Sequence, residues 1–266
     1  MTFQKLQALG NDFVVFGNPS QTSLPKPDFI RHICNRHYGI GADCAVFVSH
    51  SDKADFAMHV YNPDGFEAEI CGNALRCTTK YVHDNGFFKR RNFDCETLSG
   101  IRRLTIENDN ITVQIGVPNI IGKGTLSIAN ANISYTAISV GNPHCVVFTS
   151  SLTDEEFHLF GRAIERHPIF PEGTNVEFAT IFDENQIAIR IWERGIGETL
   201  SCSTGSCACA FAAFSEGLTG TTTHVHQAGG IITTKLHDDG NMYISGSCIT
   251  VFKGTLLYQQ NTGEKQ

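Results

Sequence analysis

Two short turns decide the fold, Glu69-Ile70-Cys71-Gly72-Asn73-Ala74 and Leu200-Ser201-Cys202-Ser203-Thr204-Gly205, and each carries a cysteine. The pattern predicts a helix after each cysteine, over about 73–85 and about 205–216, closed by Gly86 and by Gly217. A helix N-terminus presents unpaired N–H groups and partial positive charge, which lower the pKa of a thiol and bind carboxylates. Each turn is therefore a candidate site for a thiolate.

The two turns belong to an internal repeat of the chain. In each half a Gly-Asn turn leads into an apolar, β-branched strand, and a second strand with a polar turn follows before the cysteine. Chance rarely preserves several such spacings, so the repeat predicts two similar halves. One interval separates each residue of the first half from its counterpart: Asn11 and Asn142, Asn62 and Glu193, Cys71 and Cys202.

Further elements are predicted in corresponding places of the two halves. One helix is expected over about 28–37, and another over about 154–166, opened by the capping box of Thr153 and Glu156 and stopped by Pro168. A hairpin is expected in each half: 104–106 and 111–113 flank the first turn, and 231–233 and 242–244 flank the second. Each half therefore mixes helices with strands.

These predictions give a mixed α/β (α+β) fold of two pseudo-symmetric units, with the active-site cleft between them. We place the first unit at 1–117 and the second at 118–253, joined near Pro118. The segment 254–266 is expected to return to the first unit through a strand around Leu256–Tyr258. The two cysteines would then face each other across the cleft.

Composition narrows the class of function. The chain has 266 residues, a formal net charge of -7, 41% hydrophobic and 18% charged residues, as expected for a globular protein with a sizeable core. Negative charge argues against nonspecific binding to nucleic acid or to an anionic membrane, so a small molecule is the expected partner. Neither a signal pattern nor a long apolar stretch is seen, which indicates a cytoplasmic protein.

Two acid/base groups on opposite sides of a stereocentre are what inversion of that centre requires, because one proton leaves one face and another arrives at the opposite face. Cys71 and Cys202 supply such a pair. An α-carboxylate held between the two helix starts would accept charge as the α-carbon becomes carbanion-like. The backbone N–H groups expected to hold it belong to Gly72, Asn73, Ser203 and Thr204.

The other cysteines are expected to be reduced, since a disulfide framework is typical of small secreted domains. A zinc site built from Cys202, Cys207, Cys209, His224 and His226 is disfavoured, because no Cys-x-x-Cys pair is present and one helix cannot aim three sulfurs at one ion. We therefore expect no metal. Small buried apolar roles are assigned to Cys34, Cys44, Cys95, Cys145, Cys209 and Cys248, and packing roles to Cys77 and Cys207.

Short segments spread over nearly the whole chain resemble the signature segments of the diaminopimelate epimerase family. They are Leu9-Gly10-Asn11-Asp12-Phe13, Tyr61-Asn62-Pro63-Asp64-Gly65, Cys71-Gly72-Asn73-Ala74-Leu75-Arg76-Cys77, Gly141-Asn142-Pro143-His144, Asn175, Glu193-Arg194-Gly195-x-Gly197-Glu198-Thr199 and Cys202-Ser203-Thr204-Gly205. The resemblance implies an isomerase without cofactor that interconverts LL- and meso-2,6-diaminopimelate on the path to lysine and peptidoglycan. It also implies two barrel-like units, each around a central helix, and a homodimer.

The resemblance assigns roles residue by residue. The catalytic thiols fall on Cys71 and Cys202, and His144 and Glu193 resemble the residues that tune them. Arg194 is suited to pair the distal carboxylate of the substrate through its planar guanidinium. The remaining substrate-binding positions are Asn11, Cys44, Asn62, Asn142, Asn175 and Glu193, with Gly72, Asn73, Ser203 and Thr204 at the carboxylate.

Departures from the family pattern lie at the cysteine turns and at one pocket position. Family members usually carry Gly-Ala where this chain has Ala74-Leu75, and Ala, Gly and Ala where it has Ser201, Ser203 and Ser206. Cys44 follows Gly41-Ala42-Asp43, where Gly or Gln is frequent. The two serine hydroxyls next to Cys202 are expected to bind the thiolate or the substrate, and Leu75 to fill the core of the first unit.

Two other functions stay open on the sequence. One is a racemase of the same fold for another amino acid, such as histidine or a lanthionine-like analogue. Retention of Asn62, Asn175, Glu193 and Arg194 argues against it, because a smaller substrate would leave those groups without partners. The other is a noncatalytic binding protein or a thiol redox sensor, since two reactive cysteines face one pocket.

Overall fold

The computed structural model describes residues 1–68 and 70–257. Two consecutive sets of strands each surround one central helix. The first set contains β1 (Thr2–Ala8), β2 (Asn11–Gly17), α1 (Pro27–Cys34), β3 (Cys44–Ser49), β4 (Phe56–Tyr61), β5 (Glu67–Ala68), α2 (Gly72–Asp84), β6 (Asn92–Thr97), β7 (Gly100–Glu107) and β8 (Asn110–Gly116).

The second set repeats this order with one additional strand before it, β9, and one after it, β18. It contains β9 (Asn119–Ile128), β10 (Ala131–Ser139), β11 (Pro143–Phe148), α3 (Asp154–Glu165), β12 (Asn175–Asp183), β13 (Gln186–Glu193), β14 (Gly197–Thr199), α4 (Ser203–Ser215), β15 (Thr222–Gln227), β16 (Gly230–Leu236), β17 (Met242–Gly246) and β18 (Ile249–Thr255).

The repeat seen in the sequence is preserved in strand register. Phe13 lies opposite Cys44 where β2 and β3 run parallel, and their counterparts His144 and Asn175 lie opposite each other in β11 and β12. Helices α2 and α4 begin and end at positions separated by the same interval as the two cysteines. The predicted mixed fold of two pseudo-symmetric units is confirmed.

Burial explains why α2 and α4 stand at the centres of the two units. Helix α4 has the sequence STGSCACAFAAFS, apolar and small on nearly all sides, as a helix enclosed by strands must be. Its Ala208, Cys209 and Ala212 are fully buried. On α2, Leu75 is also fully buried in the core of the first unit, as predicted.

Antiparallel strand pairs connect the two units. β8 pairs with its counterpart β17, so that Val113 lies opposite Ile244, and β18 pairs with β1 from Thr2–Thr255 to Gln7–Ile249. The division of the chain at 117/118 stays a prediction. Because β18 pairs with β1, we propose that the segment returning to the first unit begins at Ile249, earlier than the predicted 254. Of the strand predicted around 256–258, Tyr258 lies outside the described residues, as do residues 259–266.

Most element boundaries agree with the predictions, and one does not. Thr153 and Glu156 form both hydrogen bonds of the capping box at the start of α3, and both predicted hairpins are present. Helix α1 was predicted to reach His37 but ends at Cys34. The reason is Asn35, whose side-chain oxygen accepts hydrogen bonds from the backbone of His37 and Tyr38 and turns the chain away.

All ten cysteines are free thiols. Seven of them are buried, and the three half-buried ones are Cys44, Cys71 and Cys202. Among the described residues, no helix combines the length and the apolar character that a membrane crossing requires.

Candidate active site

A cavity of about 1410 Å³ lies between the two units. Its walls contain the N-terminal ends of α2 and α4 and the polar turns that follow β4 and β13. His144 is the one predicted site residue that does not line it, because it is fully buried behind Asn142. The lining includes Asn11, Cys44, Asn62, Cys71, Gly72, Asn73, Asn142, Asn175, Glu193, Arg194, Cys202, Ser203 and Thr204.

The two cysteines occupy equivalent positions as the N-cap residues of α2 and α4. Cys71 Sγ accepts a hydrogen bond from Ala74 N at 3.4 Å, and Cys202 Sγ accepts one from Gly205 N at 3.3 Å. Both residues have extended backbone, with φ of -142° and -135°. A sulfur that accepts from the first turn is stabilised as an anion by that turn.

The expectation that the helix N-termini lower the pKa of both thiols was wrong for the structure as it stands. Burial raises the pKa of Cys71 to about 11, although the N–H groups of Ala74 and Asn73 act in the opposite direction. Burial also raises the pKa of Cys202 well above its ordinary value, and the nearby Glu193 adds to this effect. Desolvation of a charged sulfur therefore outweighs the helix contribution.

On the side of Cys71, a side-chain amide lies beside the thiol. Asn11 Oδ1 lies 3.9 Å from Cys71 Sγ, and Asn11 Nδ2 donates to Asp43 Oδ2 at 3.0 Å. Arg36 binds Asp43 and Asp12 together. Burial acts to raise the pKa of Asp12, but Arg36 and Lys5 hold it well below its usual range. This charged cluster of Lys5, Asp12, Arg36 and Asp43 holds the side chain of Asn11 so that its carbonyl oxygen points toward Cys71.

On the side of Cys202, a chain of polar groups leads into the core. Cys202 Sγ lies 3.4 Å from Thr204 Oγ1, which accepts from Asn142 Nδ2 at 3.5 Å. Asn142 Oδ1 lies 3.1 Å from His144 Nε2. The hydrogen bonds that lead from His144 toward the thiol therefore pass through Asn142 and Thr204.

Glu177 completes that chain, and sequence reasoning did not select it. Its Oε1 lies 2.7 Å from His144 Nδ1, and both side chains are fully buried. A signal was present, since Glu177 is a carboxylate on an otherwise apolar strand segment, Val176-Glu177-Phe178. Gly205 permits this arrangement, because a Cβ there would lie 2.4 Å from Glu177 Oε1.

Glu193 lies in the cavity close to both thiols. Burial raises the pKa of its carboxyl group, while a hydrogen bond from Thr199 Oγ1 at 2.9 Å acts in the opposite direction. The charge of Glu193 raises the pKa of Cys71, Cys202 and Cys44. The carboxylate is therefore near enough to influence each sulfur.

Polar side chains at the far end of the cavity differ in how many hydrogen bonds and ion pairs they already form within the protein. Asn175 is committed to the backbone, since its Oδ1 accepts from Arg194 N at 3.0 Å and its Nδ2 donates to Pro143 O at 3.0 Å. Cys44 Sγ lies 3.8 Å from Asn62 Oδ1. Within 1–68 and 70–257, no carboxylate forms an ion pair with Arg194.

The serines that depart from the family pattern do not contact the sulfur of Cys202 through their hydroxyl groups. Ser201 and Ser203 both bind the side chain of Asn73 across the two units. Ser206 donates to the backbone oxygen of Cys202 at 2.8 Å within α4. The expected bonds from Ser201 and Ser203 to the thiolate are therefore replaced by bonds to Asn73.

The rival metal site is not assembled. His224 Nδ1 lies 3.0 Å from Thr233 Oγ1, and His226 Nε2 lies 2.6 Å from Gln186 Oε1, both on β15. Cys207 is fully buried in the core. In the part of the chain that the structure describes, no three His, Cys, Asp or Glu side chains are grouped so as to hold an ion.

Comparison with known proteins agrees with the resemblance seen in the sequence. A family model described as diaminopimelate epimerase matches residues 3–121 and 136–251. Diaminopimelate epimerase from Desulfitobacterium hafniense is 38% identical over 97% of this chain and 98% of its own length. The protein of that name from Desulforudis audaxviator is 38% identical over 96% and 98%.

Solved structures with the same fold are more distant in sequence. A phenazine biosynthesis protein of the PhzF family from Bacillus anthracis superposes with a TM-score of 0.74 at 17% identity, covering 97% of this chain and 99% of that one. A hydroxyproline epimerase from Agrobacterium vitis superposes with a TM-score of 0.73 at 15% identity, covering 96% and 91%. At such identities the likeness shows the fold alone.

Proposed function

Because this chain belongs to the diaminopimelate epimerase family, and is therefore an isomerase, we propose that it interconverts LL- and meso-2,6-diaminopimelate by proton transfer between Cys71 and Cys202. The observation that carries the proposal is geometric. Two equivalent thiols cap two equivalent helices, and both open onto one cavity. The reaction would serve the synthesis of lysine and of peptidoglycan precursors.

The reacting end of the substrate is held at the paired helix starts. The N–H groups of Gly72 and Asn73 lie in the first turn of α2, and those of Ser203 and Thr204 in the first turn of α4. First-turn N–H groups have no partner within their helix, so they are available to a carboxylate. They also stabilise the charge that the carboxylate gains when the α-proton leaves.

Proton transfer runs through the two sulfurs. The thiolate of one cysteine takes the α-proton, so that a C–H bond breaks and an S–H bond forms. The thiol of the other cysteine delivers its proton to the opposite face, which breaks its S–H bond and forms the new C–H bond. The roles of Cys71 and Cys202 are exchanged after each turnover, and the reverse reaction starts from that state.

Formation of the thiolate requires a positive charge, because burial raises the pKa of both cysteines. The α-ammonium group of the substrate supplies one when it enters the cavity. An opposite charge within a few ångströms of a thiol lowers its pKa. Substrate binding therefore activates the base that the reaction needs.

The distal amino-acid end is read at the far end of the cavity. Arg194 offers a guanidinium to the distal carboxylate, and Glu193 and Asn62 offer acceptors to the distal ammonium group. Asn175 holds the backbone of Arg194 in place. A substrate without a distal end would leave Arg194 and Glu193 without an oppositely charged partner.

The experiment that tests the function is α-proton exchange into D2O, followed by NMR on freshly reduced protein. LL-diaminopimelate, L-histidine, L-glutamate and L-proline are offered separately. We expect exchange with diaminopimelate alone, and loss of turnover by about three orders of magnitude or more in Cys71→Ser and in Cys202→Ser, since a serine hydroxyl is a far weaker acid than a thiol.

Each other outcome has a defined meaning. Exchange only with a different amino acid would keep the mechanism and replace the substrate. Full activity in either serine variant would refute the two-thiol mechanism. Absence of exchange with all four amino acids would favour a binding protein or a thiol redox sensor.

Assembly and location are proposed on the family resemblance and on the sequence. A homodimer and a cytoplasmic location are expected. Light scattering of the purified protein measures the mass in solution, and a mass of about one chain would contradict the homodimer.

A further inference from the structure

The side chain of Asn73 is the centre of a hydrogen-bond network beneath the cavity. It is only 2% exposed. Its Nδ2 donates to Asn11 Oδ1 at 3.2 Å and to Ser201 Oγ at 3.1 Å. Its Oδ1 accepts from Arg76 Nη2 at 2.7 Å and from Ser203 Oγ at 2.7 Å. A primary amide has two donors and two acceptor lone pairs, so all four positions are in use.

This network joins the two units. Asn11 and Arg76 belong to the first unit, and Ser201 and Ser203 belong to the second. The helix starts are in close contact at the same place. A Cβ on Gly72 would lie 2.7 Å from Ser203 Cβ and 2.8 Å from Ile244 Cδ1, so the close approach of α2 and α4 requires a glycine at this position.

The orientation of the amide is set by a buried cation. Arg76 is fully buried, and burial lowers the pKa of its guanidinium. Its Nε and Nη1 have no hydrogen-bond partner among the described residues. An unpaired charged donor in the core is costly, so the bond from Nη2 to Asn73 Oδ1 is strongly favoured. The amide oxygen of Asn73 is therefore not available to a substrate.

We infer that Asn73, Ser201 and Ser203 form a strut that sets the separation of Cys71 and Cys202. Asn73 lies two residues after Cys71, and the serines flank Cys202 directly, so a shift of any strut member moves a thiol. The three are positioning residues through their side chains, while the backbone N–H groups of Asn73 and Ser203 face the carboxylate. Where it concerns turnover, this inference rests on the proposed function.

The test removes the two hydroxyl groups that reach Asn73. The double variant Ser201→Ala/Ser203→Ala loses both bonds from the second unit, and Ser206→Ala is the matched control, because its hydroxyl bonds within α4. In the double variant kcat should fall about tenfold or more, since small misplacement of acid/base groups is costly. KM should change less than about threefold, because substrate contacts remain.

Deuterium labelling distinguishes a loss of positioning from a general loss of structure. In D2O, the double variant should show more deuterium in recovered substrate relative to product than the wild-type protein. The reason is that the carbanion waits longer for the opposite thiol, so the S–H formed with the α-proton has time to exchange to S–D with the solvent before it reprotonates the carbanion on the face from which the proton left. Ser206→Ala should match the wild-type ratio.

A second readout needs no substrate. Iodoacetamide alkylation of Cys71 and Cys202, followed by peptide mapping, should be at least about threefold faster in the double variant, because loss of cross-unit bonds lets the helix starts separate. Unchanged kcat, labelling ratio and alkylation in the double variant would overturn the strut. If wild-type protein exchanges no α-proton, the proposed function fails, and the alkylation rates still decide the strut.

Folding is checked by circular dichroism and by thermal unfolding. If the double variant does not fold, kcat, the labelling ratio and the alkylation rates are measured on Ser203→Ala instead. This single variant keeps the Cβ that packs beside Gly72. Equal alkylation in Ser203→Ala and Ser206→Ala would then contradict the inference.

Discussion

Cys71 and Cys202 occupy equivalent positions of the internal repeat, but their surroundings in the folded protein differ. Cys71 faces the oxygen of Asn11, which is fixed by a charged cluster around Asp43. Cys202 faces the hydroxyl of Thr204, behind which polar groups lead to Glu177. The pseudo-symmetry of the backbone therefore does not extend to the groups that support each thiol.

Burial of the thiols leads to a prediction at the scale of the residue. Because the pKa of Cys71 is raised to about 11, the thiolate fraction of the substrate-free protein should be small at neutral pH and should rise with pH toward that value. Alkylation of Cys71 by iodoacetamide, measured by peptide mapping, should thus keep rising above pH 9 without a plateau. A plateau below pH 8 would show that the N-terminus of α2 lowers the pKa of Cys71 by more than burial raises it.

Helix α4 shows how one element meets three demands. Its first turn must present N–H groups to the cavity, and its sides must pack against strands on nearly all sides. Small residues satisfy the second demand, and Gly205 satisfies a third one, because the carboxylate of Glu177 lies where a Cβ would be. Glycine lowers the helix propensity at this position, but it leaves the space that the buried carboxylate of Glu177 occupies.

Substitution of Gly205 by alanine tests this account at the scale of the element. Alanine is the better helix former by about 1 kcal/mol, which alone would stabilise α4. We expect the opposite, a loss of about 1–3 kcal/mol, because the added methyl group meets a carboxylate that is fully buried and bound to His144. Urea unfolding measures the difference, with Ser206→Ala as the control that adds no atom. A more stable Gly205→Ala protein would disprove the close contact.

At the scale of the whole molecule, the cavity exists because two units meet. β8 pairs with β17 and β1 pairs with β18, and these pairs hold the units so that their helix starts face one another. Asn62 reaches the cavity from the first unit and Arg194 from the second. Under the proposed function, recognition of a substrate with two amino-acid ends is shared between the units.

Removal of the Arg194 guanidinium should affect a long substrate more than a short one. In Arg194→Ala, kcat/KM for diaminopimelate should fall about 100-fold, since a charge-assisted pair to the distal carboxylate is lost. Exchange of the α-proton of L-alanine, which has no distal end, should be slow in the wild-type protein and should change little in the variant. The control is Arg190→Ala on β13, the strand that ends just before Arg194, where Arg190 binds Asp154 and Glu198. Equal losses for both substrates would remove Arg194 from distal recognition.

The sequence alone determined the repeat, the two cysteine turns, the helices that follow them and the family, because these depend on local features. Periodicity, caps and turn residues act within a few positions, and the spacing of the cysteines is a property of the chain itself. His144 was selected for the same reason, through its place in a short motif.

Only the tertiary structure decided which groups surround each thiol. Glu177 meets His144 from a different strand, and Asn73 meets Ser201 and Ser203 from a different unit. The direction of the thiol pKa values also reversed, since desolvation depends on all that packs around a sulfur and not on its helix alone. Contacts between residues far apart in the chain are set by packing, which no short stretch of sequence encodes.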